Sequence, residues 1–281
     1  MEIQKIAAFS QNNKGGNPAG VVLCNEFPTD KDMLKTAKQV GYSETAFLKQ
    51  ISDGWRVRYF APEMEVPFCG HATIASGAVL GKRFGKGDYK FILNSGEIKV
   101  KVEKFGTDSF TVTLRSPETW SKPVPQEYVN KILTEFNLTT DNLDADFPVR
   151  FAFAGAKHLI LFLKDRKKLA EMAYHFERLK NLMQKEGVVT INLLWRASKK
   201  LFYSRNPFPT GGVIEDPATG AAAAALGGYL RDINWQGGNN FDVLQGTDMG
   251  CPSHLSVEFS ETVGEGVKVT GETRQISEVN G

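Results

Sequence analysis

The 281-residue chain is predicted to be an α+β protein of two homologous halves, each a set of strands wrapped around one buried helix. Three observations predict it. Cys69-Gly70-His71-Ala72-Thr73, running into Ile74 to Leu80, has a counterpart in Asp216-Pro217-Ala218-Thr219-Gly220, running into Ala221 to Leu230. At a constant offset of 150 positions Gly70 falls on Gly220, Gly77 on Gly227, Leu80 on Leu230, Phe91 on Phe241 and Gly96 on Gly246, as an internal duplication would leave them. Both segments are apolar on every side, and a helix without a polar face belongs in an interior.

Around these helices the elements follow in order. Residues 2–9 and 19–24 have strand character, with the turn-rich Asn12-Asn13-Lys14-Gly15-Gly16-Asn17-Pro18 between them. Thr29-Asp30-Lys31-Asp32 has the composition of a helix start. Met33, Leu34, Ala37 and Val40 then share one face of a helix over 30–40 that stops near Gly41. Strands are expected at 44–50 and 55–60, leading through Ala61-Pro62-Glu63 to the first buried helix, and then at 91–93, 98–102 and 110–114.

The proline-punctuated stretch from Ser116-Pro117 to Pro125 reads as a connection, dividing the chain into domains 1–117 and 118–281. A helix is expected from about Pro125. The second half then repeats the plan: strands at 150–154 and 158–163, one amphipathic helix over 166–185, and strands at 188–195 and 200–204. The second buried helix precedes strands at 241–244, 254–259 and 266–270. Residues Gln275–Val279 are read as leaving this half to pair elsewhere, with the first half as the expected destination.

Composition narrows the functional classes. An apolar content of 41% with 23% charged residues is ordinary for a globular protein, and no apolar run approaches the ~20 residues of a membrane span. Met1-Glu2-Ile3-Gln4-Lys5-Ile6 lacks a basic flank, long apolar segment and cleavage site, which predicts a cytoplasmic protein. A net charge of +2 without a basic cluster argues against nucleic acid as a partner. Cys24, Cys69 and Cys251 are expected as free thiols. The histidines at 71, 158, 175 and 254 show no paired ligand spacing, so no metal site is expected. The glycine-rich loop at 12–18 lacks the Gly-Lys-Ser/Thr ending of a phosphate loop, and no dinucleotide fingerprint follows a strand; no cofactor is expected.

The starts of the two buried helices offer chemistry. Their first amide N–H groups have no partner within the helix, and the aligned peptide dipoles add positive charge there, so Gly70 and Gly220 mark two potential carboxylate sites. The competing reading is two core helices with close glycine packing.

Five segments occur in order: Gly16-Asn17-Pro18-Ala19, Ser43-Glu44-Thr45-Ala46-Phe47, Phe60-Ala61-Pro62, Cys69-Gly70-His71-Ala72-Thr73 and Glu215-Asp216-Pro217-Ala218-Thr219-Gly220. With Gln245-Gly246, Met249-Gly250 and Pro252-Ser253 they span nearly the whole chain. In them the chain resembles the phenazine-biosynthesis PhzF-like family. The resemblance implies the diaminopimelate epimerase-like fold: two related domains, each a barrel-like β-sheet around a central helix, with the active site between them. It also implies a homodimer.

The resemblance further implies a cofactor-independent isomerase that moves a proton between carbons of a small carboxylate-bearing metabolite. Glu44 is carried over as the acid and base, and His71 and Asp216 as the other polar site residues. Gly70, Gly220, Ala221, Cys69 and Thr219 are the expected substrate contacts. Taken alone, Glu44 could equally be a surface residue opening a strand, and Asp216 a helix cap. In the two-cysteine racemases of that fold a thiol precedes glycine at both helix starts. Cys69 takes the first place, but Thr219 holds the second, and a hydroxyl does not ionise near neutral pH. An amino-acid racemase using Cys69 with another base is the runner-up. A non-catalytic protein that binds a small acid or a protein partner is the reading from another class. Ala221 stands where the phenazine enzyme has serine, which removes a hydroxyl donor and points to a different substrate.

Overall fold

A computed structural model describes residues 2–94, 96–105 and 109–276. Strand β1 (Gln4–Ser10) pairs antiparallel with β2 (Asn17–Cys24), and helix α1 (Asp30–Val40) carries the chain over to β3 (Thr45–Ile51), which joins β2 in parallel. Helix α1 is bounded as its residues require. The Thr29 hydroxyl accepts from the Asp32 N–H, and Gly41 ends the helix at φ 73°, a left-handed conformation that glycine adopts without strain.

Strand β4 (Gly54–Phe60) folds back on β3, and the short β5 (Glu65–Val66) on β4. Helix α2 (Gly70–Phe84) then crosses to β6 (Gly87–Leu93), which runs parallel to β4. Strands β7 (Gly96–Phe105) and β8 (Ser109–Arg115) complete the series as antiparallel neighbours.

The second half repeats this connectivity. After β9 (Thr119–Pro123) and α3 (Gln126–Glu135), β10 (Arg150–Ala154) pairs antiparallel with β11 (Lys157–Leu163). Helices α4 (Arg166–Ala170) and α5 (Phe176–Glu186) lead to β12 (Thr190–Ser198), parallel to β11. Strands β13 (Leu201–Phe208) and β14 (Val213–Asp216) precede helix α6 (Gly220–Asp232), which crosses to β15 (Asn240–Gln245), parallel to β13. Strands β16 (Ser253–Glu258) and β17 (Lys268–Gln275) follow.

Strand β17 closes the first half. It pairs with β8 from Lys268 to Glu272 and with β1 from Glu272 to Gln275, so β1, β2, β3, β4, β6, β7, β8 and β17 form an unbroken ring around α2. Its first residues also pair with β16 of the other half. The ring explains the composition of α2: every residue from Gly70 to Gly81 is buried, and a polar side chain at most of these positions would lose water without gaining a partner. Helix α6 is buried in the same way from Gly220 to Arg231. Leu80 and Leu230 are both fully enclosed, each contributing about 1.5–3 kcal/mol of apolar burial.

Three expectations change. The stretch read as a connection contains β9, which pairs with β10 and places Pro123 at the strand end, where a missing N–H does no harm. The helix expected over 166–185 is two helices. Asp165 caps α4 at its start, the Arg205 guanidinium takes the Ala170 carbonyl, and the following turn is held by Tyr174, whose hydroxyl donates to the Ile214 carbonyl. The last strand runs on to Gln275, opposite Ile6, while residues 277–279 lie outside the described residues.

Candidate active site

The two buried helices meet at their starts. A Cβ placed on Gly70 would lie 3.1 Å from the Ala221 nitrogen and 3.1 Å from the Gly220 Cα, so the absence of a side chain lets one helix start touch the other. Gly220 in turn lies against the Phe9 ring, 3.1 Å from its nearest carbon by the same measure. Phe9 takes φ 62° at a bulge in β1, a conformation rare for an aromatic residue, and its ring lies against a glycine of β17, Gly271. The first bonds within the helices run from Thr73 N–H to Cys69 C=O and from Ala223 N–H to Thr219 C=O. The amides ahead of them have no partner in the helix, and neither Cys69 nor Thr219 caps with its side chain.

On the α2 side, Glu44 precedes β3, and its carbonyl accepts the Gly20 N–H, which fixes the backbone beside the helix start. Its side chain is buried, with 9% of its surface exposed. Oε2 lies 3.3 Å from His71 Nε2, out of line for a hydrogen bond, and has no hydrogen-bond partner among the described residues. His71 Nε2 also lies 3.3 Å from the Ser43 hydroxyl, and Nδ1 3.3 Å from Cys69 Sγ. Burial pushes the Cys69 thiol well above its usual range, and the charge of Glu44 adds to the effect. At neutral pH it is a thiol.

On the α6 side, Asp216 ends β14 and is held by three donors' worth of scaffolding. Asn17 Nδ2 donates to its Oδ1 at 2.6 Å and to the Ala218 carbonyl at 2.9 Å, while the Thr219 hydroxyl donates to Oδ2 at 2.5 Å. Gln245 locks the turn: its Nε2 donates to the Asp216 carbonyl at 2.7 Å, and its Oε1 accepts the Thr219 N–H at 3.1 Å. Asp216 is therefore no helix cap. Its carboxyl rises from 3.8 to about 6, because burial outweighs the opposing pull of His71, Thr219 and Asn17.

The eight residues singled out in the sequence thus collect around one junction: Glu44, Cys69, Gly70 and His71 on one side, Asp216, Thr219, Gly220 and Ala221 on the other. Sequence reasoning assigned no role to Asn17, Gln245, Ser43 or Phe9. The first three lie in the quoted motifs, which was the available signal; Phe9 had none, since its backbone conformation is invisible in composition.

The sequence pattern of the phenazine biosynthesis-like protein family (PhzC-PhzF) matches residues 6–278. A Bacillus subtilis protein, the uncharacterized isomerase YfhB, is 30% identical over 289 aligned positions covering 97% of each chain. Among solved structures, the Bacillus anthracis phenazine biosynthesis protein of the PhzF family superposes with a TM-score of 0.85 at 21% identity, covering 99% of this chain and 98% of its own. A probable proline racemase from Agrobacterium radiobacter superposes with a TM-score of 0.66 at 11% identity, over 99% of this chain and 92% of its own, which places the fold among the racemases as well. From the motifs, the fold and these similarities together, the chain belongs to the phenazine biosynthesis-like PhzF family and is an isomerase of that family.

Proposed function

We propose that the protein moves a proton between carbons of a small carboxylate-bearing metabolite, with Glu44 as the acid and base. The observation that carries the reading is the Glu44 carboxylate: buried, without a hydrogen-bond partner at Oε2 among the described residues, and positioned beside a helix start. A carboxylate with a free lone pair in a partly dry site can accept a proton from carbon and return it to a neighbouring carbon. The amides at Gly70 and Gly220, which have no partner within their helices, suit the substrate carboxylate, which would hold the reacting carbon near Glu44. His71 and Asp216 suit its remaining polar groups. No metal, nucleotide or organic cofactor is part of the proposed chemistry, and the acting species is a homodimer.

The thiol racemase reading is weaker on two counts. Cys69 is held protonated by its surroundings, and Thr219, at the matching place, spends its hydroxyl on Asp216. Ala221 lies in the first turn of α6 with no side-chain donor, so the substrate differs at that contact from one that uses a serine there.

The test is Glu44→Gln, which keeps size and removes the titratable group. Screened against small carboxylates for deuterium uptake from solvent, the wild type should label its substrate, and the variant should fall about 10²- to 10⁴-fold in rate with ligand affinity little changed. Wild-type labelling by the variant would remove Glu44 from the chemistry.

A further inference from the structure

Glu44, Cys69 and His71 bring together a carboxylate, a thiol and an imidazole whose donor atoms all lie within 4.8 Å of one another, and all three residues are buried. No sequence spacing announces the group, because Glu44 arrives from the end of a different segment, 25 positions before Cys69. Two features mark it as more than crowding. The Glu44 side chain is only 9% exposed, and its Oε2 is a buried atom with no hydrogen-bond partner among the described residues. Its distance to His71 Nε2 is 3.3 Å, and the Cys69 Sγ to His71 Nε2 distance is 3.9 Å. In a tetrahedral zinc site with Zn–N near 2.0 Å and Zn–S near 2.3 Å, adjacent donors stand about 3.3 Å apart for nitrogen with oxygen, and about 3.6 Å for nitrogen with sulfur. These two separations are close to those edges, and the third, between Glu44 and Cys69, is within 4.8 Å.

We propose that Glu44, Cys69 and His71 capture one zinc ion per chain, leaving the fourth coordination position open. The mixed thiolate, imidazole and carboxylate set suits zinc and its spectroscopic substitute cobalt, and is poor for magnesium or calcium, which want oxygen alone. On binding, the Cys69 thiol proton leaves to solvent as the sulfur–metal bond forms, so uptake releases a proton. Bound zinc would occupy the Glu44 oxygen that the proposed chemistry requires. Inhibition of turnover therefore rests on the Glu44 reading, whereas the binding itself does not.

The experiment is a Co²⁺ titration of the chelator-treated full chain, read by absorbance, with stoichiometry from equilibrium dialysis against Zn²⁺. The expected result is one metal per chain with a thiolate-to-cobalt charge-transfer band. Cys69→Ser should abolish the band, and His71→Asn should weaken binding by more than the roughly 10- to 100-fold expected for loss of a merely supporting residue. Cys24→Ala should change neither. X-ray absorption at the zinc edge of the loaded wild type needs no variant and should show one sulfur among nitrogen and oxygen neighbours. Sulfur-free coordination, or a band that survives Cys69→Ser, overturns the site. Since metal uptake is read without substrate, its failure would leave the Glu44 assignment standing, and a failed deuterium assay would leave the metal site standing.

Discussion

At Asp216 burial costs more than the local hydrogen bonds return. Its carboxyl titrates near 6 in the fold against 3.8 when exposed, so between those values the native state holds a proton that the unfolded chain has lost. Stability from this group is complete below about pH 3.8 and is lost as pH rises through about 6. Asp216→Asn removes the buried charge and should raise the melting temperature at pH 8, by a free energy on the order of 1–3 kcal/mol, with little effect at pH 4. The Thr219 hydroxyl can rotate to accept from the new amide. An unchanged difference at the two pH values, by calorimetry, would mean that Asp216 is not titrating between them. The same variant should lose substrate affinity; that result would make the residue a place where stability is given up for binding. Residues of this kind were legible in the sequence only through motif resemblance. Nothing in composition distinguishes Asp216 from a cap or Glu44 from a strand residue; their meaning comes from Asn17, Gln245 and His71, brought from far along the chain.

Among the elements, those governed by local rules were legible and those governed by distant contacts were not. Helix α1 carries its own start at Thr29 and stop at Gly41, and α2 and α6 declare themselves by being apolar throughout. The break between α4 and α5 has no glycine or proline to mark it, because it is set by Arg205 and Tyr174 reaching to other segments. The constant offset between α2 and α6 foretold that their starts would be equivalent, but not that they would touch. That contact is testable. In Gly70→Ala the added methyl would press on the Gly220 and Ala221 backbone at 3.1 Å, where no flexible side chain can yield. A stability loss of about 1–3 kcal/mol in urea unfolding is expected, with a larger effect on turnover, since displacing a site by ~1 Å can cost about 100-fold. A Gly70→Ala variant with normal exchange kinetics would show that the helix starts need not meet for function.

For the whole molecule, β17 is the strand on which both halves depend. It pairs with β1 and β8 on one side of the duplication and β16 on the other. Gly271 within it leaves room for Phe9, whose ring carbon would lie 2.2 Å from an added Cβ. Gly271→Ala should therefore cost more than an ordinary strand substitution, on the order of 2 kcal/mol or more. Hydrogen exchange by mass spectrometry should show β8 and β16 losing protection together. Loss confined to one of them would mean that the halves unfold independently.

The position of β17 also bears on how the protein is made. Ribosomes release a chain from its amino end, and domains built from contiguous segments can fold as they emerge. Here the ring around α2 lacks one stave until Lys268–Gln275 has been synthesised, so Ala72, Ile74 and their neighbours wait with an open seam while more than half the chain is still being added. During that wait the facing edges of β1 and β8 are unpaired, in the condition that invites chaperones or aggregation. The repeated plan that sets two helix starts against each other thus also makes the first-synthesised half the last to be closed.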